Sequence, residues 1–275
     1  MAPTPSITSI LLATALACAL TPGDVSAARH LSRGEAFAAH DRKALWQVVN
    51  DVCVPDMRLR GKPAPCAMVN LRRGFVVLDN IVGRRQVLVI PTRRITGIED
   101  PQLLSPTAPN YWQAAWEARA FVAQRLGRQL PREAIGLAIN SVQSRTQDQL
   151  HIHVACLRPD VAAALRVGGA SIRTLWSDLP TPLAGRRYRA MRVMGFELGT
   201  RDPFKLLADG DPLAAADMGK QTLVVAGFRS RHGKPGFVLL AGRADPTTGD
   251  RAHGEDLLDH GCTALQRATP TQTTR

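Results

Sequence analysis

The sequence has few aromatic residues and no closely spaced cysteine pair. Phe, Trp and Tyr make up only 5% of its 275 residues, so any core must be built mainly from Leu, Val, Ile and Ala. No Cys-x-x-Cys pair occurs, which argues against a structural zinc site. The composition also lacks the signatures of collagen, of a coiled coil and of a disordered chain. A hydrophobic fraction of 45% is ample for one large domain or two small ones.

The charge is strongly positive, with a formal net value of +12 at pH 7. The arginines nevertheless form no dense run, and aromatic residues are not interleaved with them as a nucleic-acid stacking surface would need. A positive field attracts phosphates and anionic lipid surfaces. We therefore expect an anionic substrate or a membrane surface as partner and no nucleic acid, although most of these arginines need be no more than a solvated basic surface.

The first residues have the pattern of an export segment. Residues 7–20 are apolar, Thr21-Pro22-Gly23 breaks the run, and Val25-Ser26-Ala27 resembles a signal cleavage site. We predict a signal peptide or membrane anchor over residues 1–27, a folded domain over 28–265 and a frayed tail over 266–275. An uncleaved anchor is the alternative because no Lys or Arg precedes the apolar run. The expected location is the periplasm or the periplasmic face of the inner membrane.

Four cysteines follow this segment, and an even number in an exported chain favours two disulfides. Cys53 and Cys66 flank a loop rich in Pro, Arg and Lys, so they are natural partners. That pairing leaves Cys156 with Cys262.

Hydrophobic periodicity predicts an α+β fold with an antiparallel sheet and flanking helices. Helices are expected over residues 34–54, 111–126 and 161–167. Strands are expected over 74–78, 86–91, 135–140, 150–157, 222–228 and 236–240, with the first two forming a hairpin. The C-terminal part is expected to be an extension or a degenerate second half of the domain. The sequence of Gly236–Leu240 is similar to that of Gly74–Leu78, which would fit a duplication. Any apolar strand with a leading glycine looks similar, however.

Two histidines separated by one residue, His151 and His153, stand out in the strand over 150–157. Alternation along a strand places both imidazoles on one face, and burying two imidazoles without partners is costly. The pair fits a phosphorus-attacking nucleophile with a helper, half of a metal site, or two surface histidines. From these residues alone the three interpretations carry similar weight. A metal site needs a further ligand, and His232, His253 and His260 are distant in sequence.

The surrounding residues resemble the histidine-triad superfamily of nucleotidyl hydrolases and transferases. That superfamily has alternating histidines on a strand with a glutamine shortly before them, as Gln147 is here. Leu88-Val89-Ile90-Pro91 resembles its Leu-Val-Ile-Pro strand end. The order of hairpin, helix, strand, polar loop and histidine strand also agrees.

A narrower resemblance is to the bacterial CDP-diacylglycerol pyrophosphatases, and it runs from about Cys53 to Cys262. Its motifs are Pro109-Asn110, Leu137–Ser141, Arg145-Thr146-Gln147, His151–Val161 and Asp202-Pro203-Phe204. The resemblance implies hydrolysis of CDP-diacylglycerol to CMP and phosphatidate through a cytidylyl-histidine, at the inner-membrane lipid surface, with no metal or organic cofactor. The alternatives are a periplasmic hydrolase or transferase of a soluble nucleotide and a non-catalytic nucleotide- or lipid-binding protein.

The chain departs from the triad pattern in having two alternating histidines. If Gln147 marks the register, Ala155 replaces the third histidine and His153 takes the position of the family's nucleophile. In the other register Gln149 replaces the first histidine, and His151 is the nucleophile. The spacing from Gln147 favours His153.

Three polar residues near these histidines are candidates for binding the substrate: Asn140, Arg145 and Gln147. Oriented donors stabilise the charge that develops on the non-bridging oxygens during attack on phosphorus. Each also has a structural interpretation, because Arg145 could be a solvated loop charge and the two amides could bridge the loop.

Overall fold

A computed structural model describes residues 41–79 and 85–266 of the chain. The predicted signal segment, nearly all of the predicted tail and most of the turn between the first two predicted strands lie outside these residues. Within them, no helix combines the length and the apolar character needed to cross a bilayer.

The helices are short except for one. They are α1 (Ala44–Gln47), α2 (Val54–Arg60), α3 (Tyr111–Leu126), α4 (Pro159–Gly168), α5 (Pro203–Gly210), α6 (Pro212–Ala216) and α7 (Thr263–Gln266). A π-helical segment, Val48–Cys53, joins α1 to α2, so the described part of the predicted first helix continues six residues beyond its expected end. Single 3₁₀ turns occupy Pro101–Leu104, Arg132–Ala134, Met218–Lys220 and Gly254–Leu257.

All strands found in the described residues join one antiparallel sheet. They are β1 (Cys66–Asn70), β2 (Phe75–Asp79), β3 (Val87–Pro91), β4 (Ile135–Ile139), β5 (Ile152–Leu157), β6 (Ser177–Asp178), β7 (Arg189–Met194), β8 (Gln221–Arg229), β9 (Pro235–Arg243) and β10 (Leu258–Asp259). Their order is β1-β2-β3-β5-β4-β8-β9-β7-β6, and β10 pairs with β5. The sheet confirms the predicted α+β class, and the C-terminal strands extend it beyond β4.

The predicted hairpin is present, and the last two predicted strands form a second one. β2 pairs antiparallel with β3, and β8 pairs with β9 along the whole of both strands. Both hairpins are buried along most of their length. Their nearly continuous apolar sequences are therefore explained by a sheet that is covered on both faces.

The longest helix, α3, covers one face of the sheet. It begins where the Asn110 side chain accepts a hydrogen bond from the Gln113 amide, and it ends at Gly127 in a left-handed conformation. Trp112 and Trp116 are fully buried and pack against Phe204 and Phe237 at ring-centroid distances of 5.3 and 4.9 Å. These aromatic side chains therefore form the core.

The opposite face carries a second apolar cluster. It includes Ala155 and Leu157 from β5 and Val161 and Leu165 from α4. Side chains alternate along β5, so Ile152 and Val154 point into the α3 cluster. His153 consequently lies on the same face as Ala155, with Leu88 of β3 and Ala138 of β4 as its cross-strand partners.

Both expected disulfides are present, Cys53–Cys66 and Cys156–Cys262. The first closes a short loop between the N-terminal helices and β1. The second joins the end of β5 to the segment after β10, and β10 itself pairs with Leu157 and Cys156. The C-terminal segment is thereby fixed beside the histidine strand.

Candidate active site

The two histidines lie next to each other at the start of β5. Their ring centroids are 4.9 Å apart and the rings are inclined by 65°. His151 is 8% exposed and His153 is 7% exposed. The predicted placement of both rings on one face is confirmed. Two nearly buried imidazoles this close can act on the same bound group.

His151 has a defined orientation. Its Nδ1 lies 2.7 Å from the backbone oxygen of Gln149. A carbonyl oxygen can only accept, so Nδ1 carries the proton and Nε2 keeps its lone pair. Burial is the main cause that lowers the pKa of His151, and the hydrogen bond to Gln149 opposes it. The ring is therefore neutral near pH 7, with one basic nitrogen.

The backbone that accepts this hydrogen bond is held by the side chain of Gln149. Its amide nitrogen donates to the carbonyl oxygens of Pro91 and Arg93, and its oxygen accepts from the Ile95 amide. Gln149 is fully buried. These contacts join the segment before His151 to the end of β3 and the residues that follow it.

His153 faces a buried carboxylate from the C-terminal segment. Its Nδ1 lies 3.0 Å from Oε2 of Glu255. The contact lies off the direction of a hydrogen bond, and within the described residues neither ring nitrogen of His153 has a hydrogen-bond partner. The two groups therefore interact through charge and proximity.

Glu255 lies among three imidazoles. Nε2 of His260 is 3.5 Å from its carboxylate, and Nε2 of His253 is 3.6 Å away. The Asn140 side-chain amide donates a hydrogen bond to Oε1 of Glu255 at 2.7 Å. His260 also contacts the Gln86 side chain, and its ring centroid lies 6.3 Å from that of His153.

The ionisation of this pair follows from burial and charge. Burial lowers the pKa of His153 well below its usual range, while Glu255 opposes that effect. Burial also disfavours the Glu255 carboxylate, but His153 and the Asn140 hydrogen bond outweigh it and lower the pKa of Glu255. The carboxylate is therefore charged and the ring of His153 neutral near pH 7.

Comparison with known proteins identifies the family to which this site belongs. Residues 40–266 match the family model for CDP-diacylglycerol pyrophosphatase. A CDP-diacylglycerol pyrophosphatase from Yersinia pestis is 45% identical over 222 residues, which covers 81% of this chain and 84% of that protein.

The chain belongs to the CDP-diacylglycerol pyrophosphatase family.

In this family member, one of the three predicted substrate-binding residues lies within the histidine cluster. Asn140 contacts Glu255. Arg145 is directed to Glu99 and Asp148, at 2.6 and 3.1 Å, although its charge is near enough to lower the pKa of His151 after the effects of burial. Its side chain is largely buried, so Arg145 is not a solvated loop charge.

Gln147 is engaged with the N-terminal helix. Its amide nitrogen donates to the Asp41 oxygen, and its oxygen accepts from the Leu45 amide. In this pyrophosphatase-family chain, the contacts of Gln147 therefore agree with its structural interpretation as a bridge. A role of Arg145 and Gln147 in substrate binding stays a prediction.

The sequence did not predict Glu255 as a site residue, and His253 and His260 are distant from His153 in sequence. The fold brings Glu255 to His153 and brings both of these histidines to Glu255. The cysteine positions could have predicted that His153 and His260 lie close together, because Cys156 follows His153 by three residues and Cys262 follows His260 by two. A bridge between those cysteines requires the two histidines to be close. Despite the clustering, no group of three or more His, Cys, Asp and Glu side chains in the described residues is arranged to hold a metal ion.

Proposed function

We propose that this chain hydrolyses the pyrophosphate bond of CDP-diacylglycerol, giving CMP and phosphatidate through a cytidylyl-histidine intermediate. The family to which the chain belongs gives the substrate and the bond. The two buried imidazoles of β5 supply groups suited to covalent catalysis. A neutral imidazole approaches a negatively charged diphosphate without the repulsion that hydroxide meets.

The observation that carries the proposal is the hydrogen bond between His151 Nδ1 and the Gln149 carbonyl. It sets the tautomer in which Nε2 is the nucleophilic atom. It also favours the register in which Gln149 takes the first histidine position. The spacing from Gln147 favoured His153, but the Gln147 side chain is bonded to the N-terminal helix. We therefore assign His151 as the nucleophile.

His153 then serves as the second catalytic residue. Its ring adjoins that of His151, and its Nε2 is buried without a partner in the described residues. A water that attacks the cytidylyl-histidine must lose a proton, and the neighbouring ring of His153, which is neutral near pH 7, is placed to accept it.

The proposed location is the periplasm or the periplasmic face of the inner membrane. Two disulfides are stable in an oxidising compartment, and the N-terminal apolar run has the pattern of an export signal or anchor. The substrate is a membrane lipid, so we also propose that the chain works at the lipid surface.

The test uses CDP-diacylglycerol with a radiolabel in the cytidylyl group and three alanine variants. We expect His151→Ala and His153→Ala each to lose at least about 100-fold in turnover, as is usual for catalytic imidazoles. Only His151→Ala should abolish transfer of label to the protein. His232→Ala is the matched control, because His232 is exposed in the turn between β8 and β9.

Three outcomes are decisive. Full activity of both strand variants would end the proposal. Label on His151→Ala but not on His153→Ala would reverse the two roles. Hydrolysis of a water-soluble CDP-alcohol, with none of CDP-diacylglycerol, would favour a soluble nucleotide as the substrate.

A further inference from the structure

We propose that Glu255 is a positioning residue that orients His153 as the proton acceptor for the water hydrolysing the cytidylyl-histidine. The inference rests on the proposed covalent route. It adds a group from the C-terminal segment, about 100 residues beyond the histidine strand, to the machinery of β5.

The geometry gives Glu255 one principal partner. Oε2 lies 3.0 Å from Nδ1 of His153, closer than either other imidazole. Its second oxygen accepts a hydrogen bond from Asn140 at 2.7 Å. The Asn140 oxygen accepts in turn from the Glu255 backbone amide at 3.4 Å. Asn140 therefore holds both the carboxylate and the backbone of Glu255, which restricts rotation of the carboxylate away from His153.

The position of the carboxylate determines which nitrogen of His153 carries the proton. Nδ1 lies 3.0 Å from a negatively charged oxygen. That charge attracts a proton on Nδ1 and repels a lone pair, so the proton belongs on Nδ1. The lone pair is then on Nε2, which is buried and has no hydrogen-bond partner among the described residues. A buried polar atom of this kind calls for a partner, and a water or substrate oxygen supplies one. Catalytic contacts are often poorly aligned in free enzymes and tighten when substrate binds.

The two half-reactions use the rings differently. In the first, Nε2 of His151 forms a bond to the phosphorus attached to cytidine, and the bond to the bridging oxygen breaks with its electrons leaving on phosphatidate. In the second, water forms the new bond to phosphorus while its proton passes to Nε2 of His153. The bond between phosphorus and His151 breaks, CMP leaves, and His153 returns its proton to solvent.

Glu255 matters most in the second half-reaction because only there does His153 become positively charged. A fixed carboxylate beside a ring that gains charge stabilises that charge without reorganising. Burial lowers the pKa of His153, and Glu255 is the neighbour that opposes this effect, whereas His151, His260 and His253 add to it. Removing the negative charge leaves His153 a weaker base.

The experiment compares wild type with Glu255→Gln and Glu255→Asp, using CDP-diacylglycerol labelled in the cytidylyl group. Glutamine keeps an oxygen for Asn140 and removes the charge, whereas aspartate keeps the charge at a shorter reach. For Glu255→Gln we expect turnover to fall about 100-fold, with a burst of phosphatidate equal to the enzyme present. Label on the protein should rise at least about tenfold above wild type at steady state. Glu255→Asp should recover part of the turnover.

Glu133→Gln is the matched control, since Glu133 pairs with Arg229 at the surface. Thermal unfolding of each variant identifies any that fails to fold, and in that case Glu255→Asp alone decides through the same excess of label. Equal loss of the phosphatidate burst and of turnover, with no excess label, would show a merely structural role and overturn the inference. Wild-type turnover in Glu255→Gln would also overturn the inference. Absence of label from every protein, wild type included, would instead refute the covalent route itself.

Discussion

At the scale of single residues, two glutamines two positions apart have different surroundings. Gln149 is fully buried and forms hydrogen bonds with three backbone groups at and just after the end of β3. Gln147 is partly exposed and forms hydrogen bonds with one backbone group of α1 and one just before it. Both follow the polar loop before β5. Only Gln149 supports the carbonyl that orients His151.

We predict that Gln149→Ala lowers the free energy of unfolding by about 3 kcal/mol, because buried backbone groups lose their partners. Gln147→Ala should cost about 1 kcal/mol, since water replaces its contacts. Turnover should fall much further in Gln149→Ala than in Gln147→Ala. Urea unfolding and steady-state hydrolysis of CDP-diacylglycerol measure the two effects. Equal losses of stability and turnover in both variants would contradict the assignment of Gln149 to the first histidine position.

At the scale of elements, the site depends on how the C-terminal segment is attached. The 3₁₀ turn Gly254–Leu257 carries Glu255, and β10 follows it directly. β10 has only two residues, which pair with the end of β5. Such a short strand holds weakly by itself. The disulfide Cys156–Cys262 is the covalent attachment that keeps Glu255 and His260 against His153.

We predict that the two disulfides have different effects on activity. The Cys156→Ala/Cys262→Ala double variant opens a loop with a sequence separation of 106 and should lose about 4 kcal/mol of stability. Its turnover should fall at least about tenfold because the positioning group is loosened. The matched Cys53→Ala/Cys66→Ala variant opens a separation of 13 and should lose about 3 kcal/mol with near-normal turnover. Thermal melting and turnover below both melting temperatures test this, and similar turnover in the two variants would oppose it.

Much of this element structure was predictable from the sequence. Helix α3 was expected over the residues it occupies, because a periodic apolar stripe ends at Gly127. The Asn110 cap was found only in the structure. The strands of both hairpins were likewise predicted, because each is an apolar run and a turn separates the two runs of each pair. The Glu255 site was not predictable in this way, because it depends on a contact between distant segments. Local periodicity carries no information about that contact, although the cysteine pairing did constrain it.

The π-helical turn Val48–Cys53 was also beyond local pattern. The sequence predicted a regular helix ending near residue 54, whereas the described helical segment continues to Arg60. Val49 and Cys53 are fully buried, and Cys53 must meet Cys66 at the start of β1. This arrangement depends on tertiary packing and the disulfide, so helix propensity alone could not supply it.

At the scale of the whole molecule, the net charge of +12 bears on how the chain meets its proposed substrate. CDP-diacylglycerol carries a negative diphosphate headgroup at the bilayer surface. The positive charge of the chain attracts it to an anionic bilayer. Each basic side chain at the bilayer surface contributes about 1 kcal/mol to binding. Salt screens this attraction within a Debye length.

We therefore predict salt-dependent association with lipid vesicles. Binding of the purified chain to vesicles rich in anionic phospholipid should weaken at least tenfold, roughly, between about 50 mM and about 500 mM NaCl, because the Debye length shortens from over 10 Å to a few ångströms. Vesicles of phosphatidylcholine alone are the control and should bind weakly at both salt concentrations. Cosedimentation measures binding, and the His151→Ala variant, which we expect to be inactive, is used so that no lipid is hydrolysed during the assay. Equal binding to anionic and neutral vesicles at low salt would mean that the charge has no part in reaching the bilayer, and that an apolar anchor or the headgroup site accounts for association.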